Sequence, residues 1–165
     1  MKLIFLDIDG VLNKFTTKER FEGCLFIENR KVRYLKELVE ATRAKIILTS
    51  TWRRGWYCMD HGLDQKPSDR EDIRFYQALI SKLREYELEL LGYTDDFGPR
   101  GKEIERWLSE WNGEPVESIV ILDALEKDEL KPYSDYVVQT SLCEGLTPKH
   151  TRKAIKLLND SRSKL

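Results

Sequence analysis

A chain of 165 residues, 41% hydrophobic and 35% charged, is long enough to bury a substantial core and too apolar to be a disordered tail. Its 28 basic and 29 acidic residues leave a net charge of −1, so any attraction to nucleic acid or to a membrane surface must come from a local patch. Cys24, Cys58 and Cys143 are odd in number and far apart, which argues against a disulfide framework or a paired zinc spacing.

The run Leu3 to Leu6 reads as a first buried strand, broken by Asp7 and Asp9. It is too short for a membrane span and lacks the form of a secretory leader, so the expected address is the cytoplasm. Asn29 to Ala41 sets Val32, Leu35, Leu38 and Val39 on one helical face, with Asn29 as the expected cap. Ile46 to Leu48 is a second strand. Thr51 to Asp69, rich in Gly, Trp, Arg and Asp, is expected as a long functional loop past that strand's end. Arg70 to Tyr86 reads as a helix with Ile73, Tyr76, Leu79, Ile80 and Leu83 inward, and Leu88 to Leu91 as a weaker strand closed by Gly92. Glu103 to Trp111 repeats apolar positions at Ile104, Trp107 and Leu108. Ile119 to Leu122 and Tyr136 to Val138 are two more strands. Thr147-Pro148 opens a last helix with Pro at its favoured first position. Continuous rather than alternating apolar strands, separated by helices, predict a doubly wound, Rossmann-like α/β fold. Its parallel sheet has flanking helices, in a single domain over residues 1–165 with no large cap.

The chemistry concentrates at strand ends. Phe5-Leu6-Asp7-Ile8-Asp9-Gly10 ends a buried strand in two carboxylates and a glycine turn. Two acids held that close need a cation between them, and an oxygen-rich site of this kind suits magnesium. Taken alone, the motif also admits a plainer reading as a strand-terminating acidic turn. The second strand ends in the hydroxyls of Thr49, Ser50 and Thr51, suited to phosphate oxygens. Arg100 and Lys102 put two cations at a helix start, where acids are normally favoured; a facing phosphate would make them tolerable. Asp123 ends another buried strand, followed by Asp128.

These four features in this order resemble the haloacid dehalogenase-like (HAD) superfamily of hydrolases, over nearly the whole chain. The resemblance implies that Asp7 attacks phosphorus to form an aspartyl-phosphate, and that Asp9 protonates the leaving group and then activates water. It implies Thr49 or Ser50 on the phosphate, Lys102 or Arg100 to neutralise it, and Asp7, Asp9 and Asp123 around Mg2+. Ala124 departs from the pattern, since many relatives carry a second acid directly after the metal-binding Asp. Thr49-Ser50-Thr51-Trp52-Arg53, Arg100-Gly101-x-Glu103-Ile104-x-x-Trp107-Leu108 and Gly145-Leu146-Thr147 are similar to a narrower branch, the HAD domains related to RNA-repair proteins.

Without a large cap the expected site is open, which suits phosphorylated nucleotides or nucleic-acid ends. Trp52, Arg53, Arg54, Trp56, Tyr57 and His61 offer rings for bases and cations, Arg53 included, for phosphates; equally, the rings pack against the core and the arginines are solvated. Cys58 and His61 are too few to hold zinc. The mixed charges of Arg70, Glu71, Asp72, Arg74, Lys82, Arg84 and Glu85 read as a solvated face, and no feature points to a protein or membrane partner. Two rival readings are a catalytically silent binding module on the same fold and a receiver-like phospho-Asp signalling domain. Receivers carry the phosphorylated Asp on a middle strand rather than the first.

Overall fold

The computed structural model describes residues 1–160, without the side chains of Lys127 and Asp128. The chain runs β1 (Lys2–Leu6), β2 (Arg20–Phe21), β3 (Cys24–Leu25), α1 (Asn29–Thr42), β4 (Lys45–Leu48), α2 (Arg54–Asp60), α3 (Pro67–Arg84), β5 (Leu90–Tyr93), α4 (Arg100–Glu110), β6 (Ser118–Asp123), β7 (Val137–Gln139) and α5 (Pro148–Asn159).

Five strands form one parallel sheet in the order β5-β4-β1-β6-β7. The continuous apolar runs have their cause here, because helices cover both faces. Ile4, Leu6, Ile46, Leu48, Val120 and Leu122 point to one side, against Leu35 and Leu38 of α1, Leu79 and Leu83 of α3 and Ala154 and Leu158 of α5. Leu3, Phe5, Ile47, Ile119 and Ile121 point to the other, against Ile104 of α4 and Leu130. This is the doubly wound α/β arrangement predicted from the sequence. The only insertion over the sheet edge between β1 and α1 is the two-stranded hairpin β2–β3, so there is no large cap among the described residues.

Three local expectations are corrected. The segment 51–69 is not an open loop: Thr51–Arg53 forms a 3-10 turn, α2 follows, and α3 begins at Pro67. Asn29 does not cap α1; Glu28 stands at that position without a side-chain cap, and Asn29 is the first helical residue. Gly92 lies inside β5 instead of closing it, with the Trp107 ring against its Cα side. Thr147 does cap α5, accepting a bond from the His150 amide at 3.4 Å.

The chain leaves β1 for β4 and β5 on one side and returns to β6 and β7 on the other. The strand order therefore reverses at β1, and the crevice past the carboxyl ends of β1 and β6 is where such sheets hold ligands.

Candidate active site

Asp7 is the first residue past β1, and its amide still donates to the Leu122 carbonyl of β6 at 2.9 Å, so the ladder itself fixes the carboxylate. The chain then turns sharply. Gly10 has φ of +76°, and a Cβ there would lie 2.7 Å from the Cβ of Ala124. That close approach explains a small residue at position 124. The Gly10 amide donates to Asn13 Oδ1 at 2.9 Å, and Asn13 Nδ2 donates to Asp9 Oδ1 at 2.7 Å. Trp52 Nε1 donates to Asp9 Oδ2 at 3.1 Å. Both Asp9 oxygens are thus oriented by buried or half-buried donors.

The end of β4 lies beside this turn, with the Thr49 amide on the Leu6 carbonyl at 2.8 Å. Thr49 and Ser50 are both buried and point to different partners. Thr49 Oγ1 accepts from Arg100 Nη1 at 3.0 Å, whereas the Ser50 hydroxyl lies beside the Asp7 carboxylate. Arg100, at the first turn of α4, reaches Asp123 Oδ2 at 3.0 Å and Asp7 Oδ1 at 3.7 Å through the same nitrogen, and its Nε lies 3.3 Å from Glu103 Oε2. Glu103 is itself buried and pairs with Arg53 Nη2 at 3.0 Å; Arg53 also meets Asp96 at 3.0 Å and donates to the Thr49 carbonyl. Asp123 Oδ1 accepts from the Leu125 amide at 2.9 Å.

The structure therefore brings together Asp7, Asp9, Thr49, Ser50, Arg53, Arg100 and Asp123. It leaves Lys102 outside: that side chain is 60% exposed and pairs with Glu105 at 2.7 Å. Helical spacing carried the signal. Arg100 precedes Ile104 by four residues and shares its buried face, while Lys102 is turned about 200° away. Asp128 has its side chain outside the described residues. Three residues missed as site members are Asn13 and Trp52, which orient Asp9, and Glu103, which ties Arg53 to Arg100. Asn13 carried a hint in its place four residues after Asp9; nothing in the spacing linked Trp52 to Asp9.

Electrostatics follow from burial. Asp7 is pushed up to about 6, chiefly by desolvation and then by Asp123, against the pull of Arg100, the Ile8 amide and the Ser50 hydroxyl. Asp123 is raised too, by burial, against Arg100 and the amides of Leu125 and Ala124. Glu103 is raised by burial despite its two arginine partners. Half-buried Asp7 with buried Glu103 and Asp123 outnumber Arg53 and Arg100, so this edge of the sheet carries an excess of negative charge.

That excess and the all-oxygen donors fit a magnesium ion, which takes one or two carboxylates and fills its shell with water and phosphate oxygens. Asp7 and Asp123, on neighbouring strands, are the pair that meets this requirement. Among the described residues no three His, Cys, Asp or Glu side chains gather into a ready-made cage, and the Asp9 carboxylate is turned toward Asn13 and Trp52 instead. The two tryptophans of the 51–69 segment are engaged in packing. Trp52 meets Phe26 and Phe75 at ring distances of 5.8 and 5.6 Å, and Trp56 meets Tyr76 and Tyr93 at 5.4 and 4.7 Å.

Comparison with known proteins gives one family: the HAD domain in Swiss Army Knife RNA repair proteins matches residues 3–151. No curated protein and no solved structure matches the chain. The matched span runs from β1 into α5 and contains every site residue above. The superfamily is one of hydrolases and phosphatases and also includes non-catalytic members. With the fold, the acidic turn after β1 and that match in agreement, the chain belongs to the HAD domain family of Swiss Army Knife RNA repair proteins.

Proposed function

We propose that the chain is a magnesium-dependent phosphomonoesterase that works through an aspartyl-phosphate on Asp7, with phosphorylated nucleotides or nucleic-acid ends as its substrates. The observation that carries this reading is the Arg100 guanidinium set between Asp7, Asp123 and Thr49, beside an Asp9 carboxylate fixed by Asn13 and Trp52.

In this reading Asp7 Oδ attacks phosphorus and the bond to the ester oxygen breaks, with Asp9 delivering a proton to that oxygen. Asp9 then takes a proton from water as the water attacks phosphorus, and the bond to Asp7 breaks to release inorganic phosphate. The covalent intermediate divides one difficult displacement into two easier ones, and positioned proton transfer contributes roughly 10²–10⁴-fold. Arg100 and Ser50 face the phosphate oxygens, Thr49 holds the Arg100 fork, and Arg53 with Glu103 braces it from behind. Magnesium on Asp7 and Asp123 would add the positive charge that a carboxylate needs to approach a phosphate dianion. Lys102 has no part in this scheme.

The test is phosphate release, with and without magnesium, from an aryl phosphate, mononucleotides, and oligonucleotides with 5′- or 3′-phosphate, with Asp7→Asn as control. Magnesium-dependent release that vanishes in the control supports the proposal. Full activity in Asp7→Asn ends the nucleophile assignment. No release from any substrate by the folded protein moves the reading to a non-catalytic binding module, which the lone acid at Asp123-Ala124 would suit.

A further inference from the structure

A cavity of about 540 Å³ opens past the carboxyl ends of β4 and β5, and Arg53 forms the wall between it and the candidate active site. Thr94, the residue after β5, lines it and is tied to the sheet by its amide on the Leu48 carbonyl at 3.0 Å. Since β5 stands two strands from β1, the cavity lies roughly 10 Å from the nucleophile along the sheet edge, about one strand spacing per step. That separation suits a group covalently attached to the phosphate that Asp7 attacks.

Its lining is selective. Tyr57, Leu63 and Phe97, three of the exposed large apolar side chains among the described residues, gather here, with Phe97 51% and Tyr57 45% exposed. The Arg106 guanidinium lies over the Phe97 ring at 5.3 Å, which fixes that ring's edge of the cavity. Arg53, Arg54 and Arg106 face Asp69, Asp95 and Asp96, equal numbers of each sign, so the lining favours an uncharged occupant over a second phosphate. Arg53 Nε and Thr94 Oγ1 are buried polar atoms with no partner among the described residues, and both residues line this cavity. These two unpaired atoms lie beneath the cavity surface, while the side chains of Arg54, Asp95 and Asp96 are exposed at its rim.

We infer that this cavity binds the base of the substrate's nucleoside, stacked on Phe97 and Tyr57, while the attached phosphate reaches Asp7. The inference rests on the phosphatase reading of the neighbouring site and adds what selects the substrate. A neutral planar heterocycle meets all the requirements together: flat faces for the rings, edge donors and acceptors for the exposed Arg54, Asp95 and Asp96 side chains, and no charge to upset the balance.

Two measurements test it, on the intact chain. The first is two-dimensional NMR with adenosine and uridine, which carry no phosphate and require no turnover. Shifts at the amides of Thr94, Phe97 and Tyr57 are expected, lost in Phe97→Ala and weakened in Tyr57→Ala; both positions are exposed, and thermal melts confirm the fold. The second is kinetics. Phe97→Ala raises KM about 10-fold for nucleoside monophosphates or phosphate-ended oligonucleotides, with kcat unchanged and glycerol phosphate hydrolysed as before. An effect on both substrates supports the inference; an effect on oligonucleotides alone overturns it, because the cavity then takes the base next along the strand and not that of the phosphorylated nucleoside. Shifts confined to other surfaces, or an unchanged KM for every nucleotide, overturn the inference and leave the phosphatase reading untouched. Nucleoside binding at the cavity without phosphate release from any substrate supports the base site and removes the phosphatase reading.

Discussion

At the scale of single residues, Asp7 shows how the site trades stability for reactivity. Its carboxyl sits at about 6 in the fold against 3.8 when free, so between those values the folded chain holds a proton that the unfolded chain has released. Stability from this group is therefore greatest below about pH 4 and declines as pH rises through 6. Asp7→Asn removes the buried charge, and the variant is expected to be more stable than the parent by about 1–3 kcal/mol at pH 7.5 without metal, the gap closing by pH 4. Chemical denaturation at the two pH values checks this, and equal stability at pH 7.5 would contradict it. Arg100 and Lys102 give a second contrast two positions apart. Arg100→Ala is expected to lower kcat by roughly 10²–10³, the usual loss when one charge-stabilising donor is removed. Lys102→Ala, on an exposed ion pair, is expected to change stability by no more than about 0.5 kcal/mol and to leave kcat unaltered.

At the scale of elements, the position of α4 decides where Arg100 sits. Gly101 lets the helix start press against the chain at Lys131, because a Cβ there would fall on the Lys131 carbonyl oxygen. Gly101→Ala must push the helix outward, carrying Arg100 from Asp7 and Asp123. The expected result is a loss of about 1–3 kcal/mol together with a fall in kcat, although every site side chain remains. A denaturant midpoint equal to the parent's would count against this account. The strands were legible because burial on both faces writes an unbroken apolar run. The helix α2 was not. Seven residues with a glycine and four aromatic or sulfur side chains have little helical propensity of their own. It forms because Gly55 and Cys58 bury and Trp56 stacks on Tyr76 of α3, a partner twenty positions away.

At the scale of the whole molecule, the reversal of strand order at β1 gathers Asp7, Thr49, Arg100 and Asp123 from most of the chain's length onto one edge. The negative excess there predicts a measurable response to metal. Magnesium at 100 times its Kd is expected to stabilise the fold by about 2.7 kcal/mol, read as a rise in Tm, with the rise abolished in Asp123→Asn. An equal rise in that variant would locate the cation elsewhere. No helix among the described residues is long and apolar enough to cross a membrane.

The sequence by itself determined the layered α/β architecture and the acidic turn after the first strand, because apolar period and strand-end chemistry are local properties of the chain. It left the choice between Arg100 and Lys102 open, although the four-residue step to Ile104 agrees with the face of α4 that is buried. Only the tertiary structure decided that Ser50 faces Asp7 while Thr49 faces Arg100. Consecutive residues at a strand end point opposite ways, and the register that pairs Leu6 with Leu48 sets which way is inward. Only it joined Trp52 to Asp9 and Arg53 to Glu103, contacts spanning 43 and 50 positions. Such pairs arise from how packed layers meet, and the spacing of residues along the chain does not record that meeting.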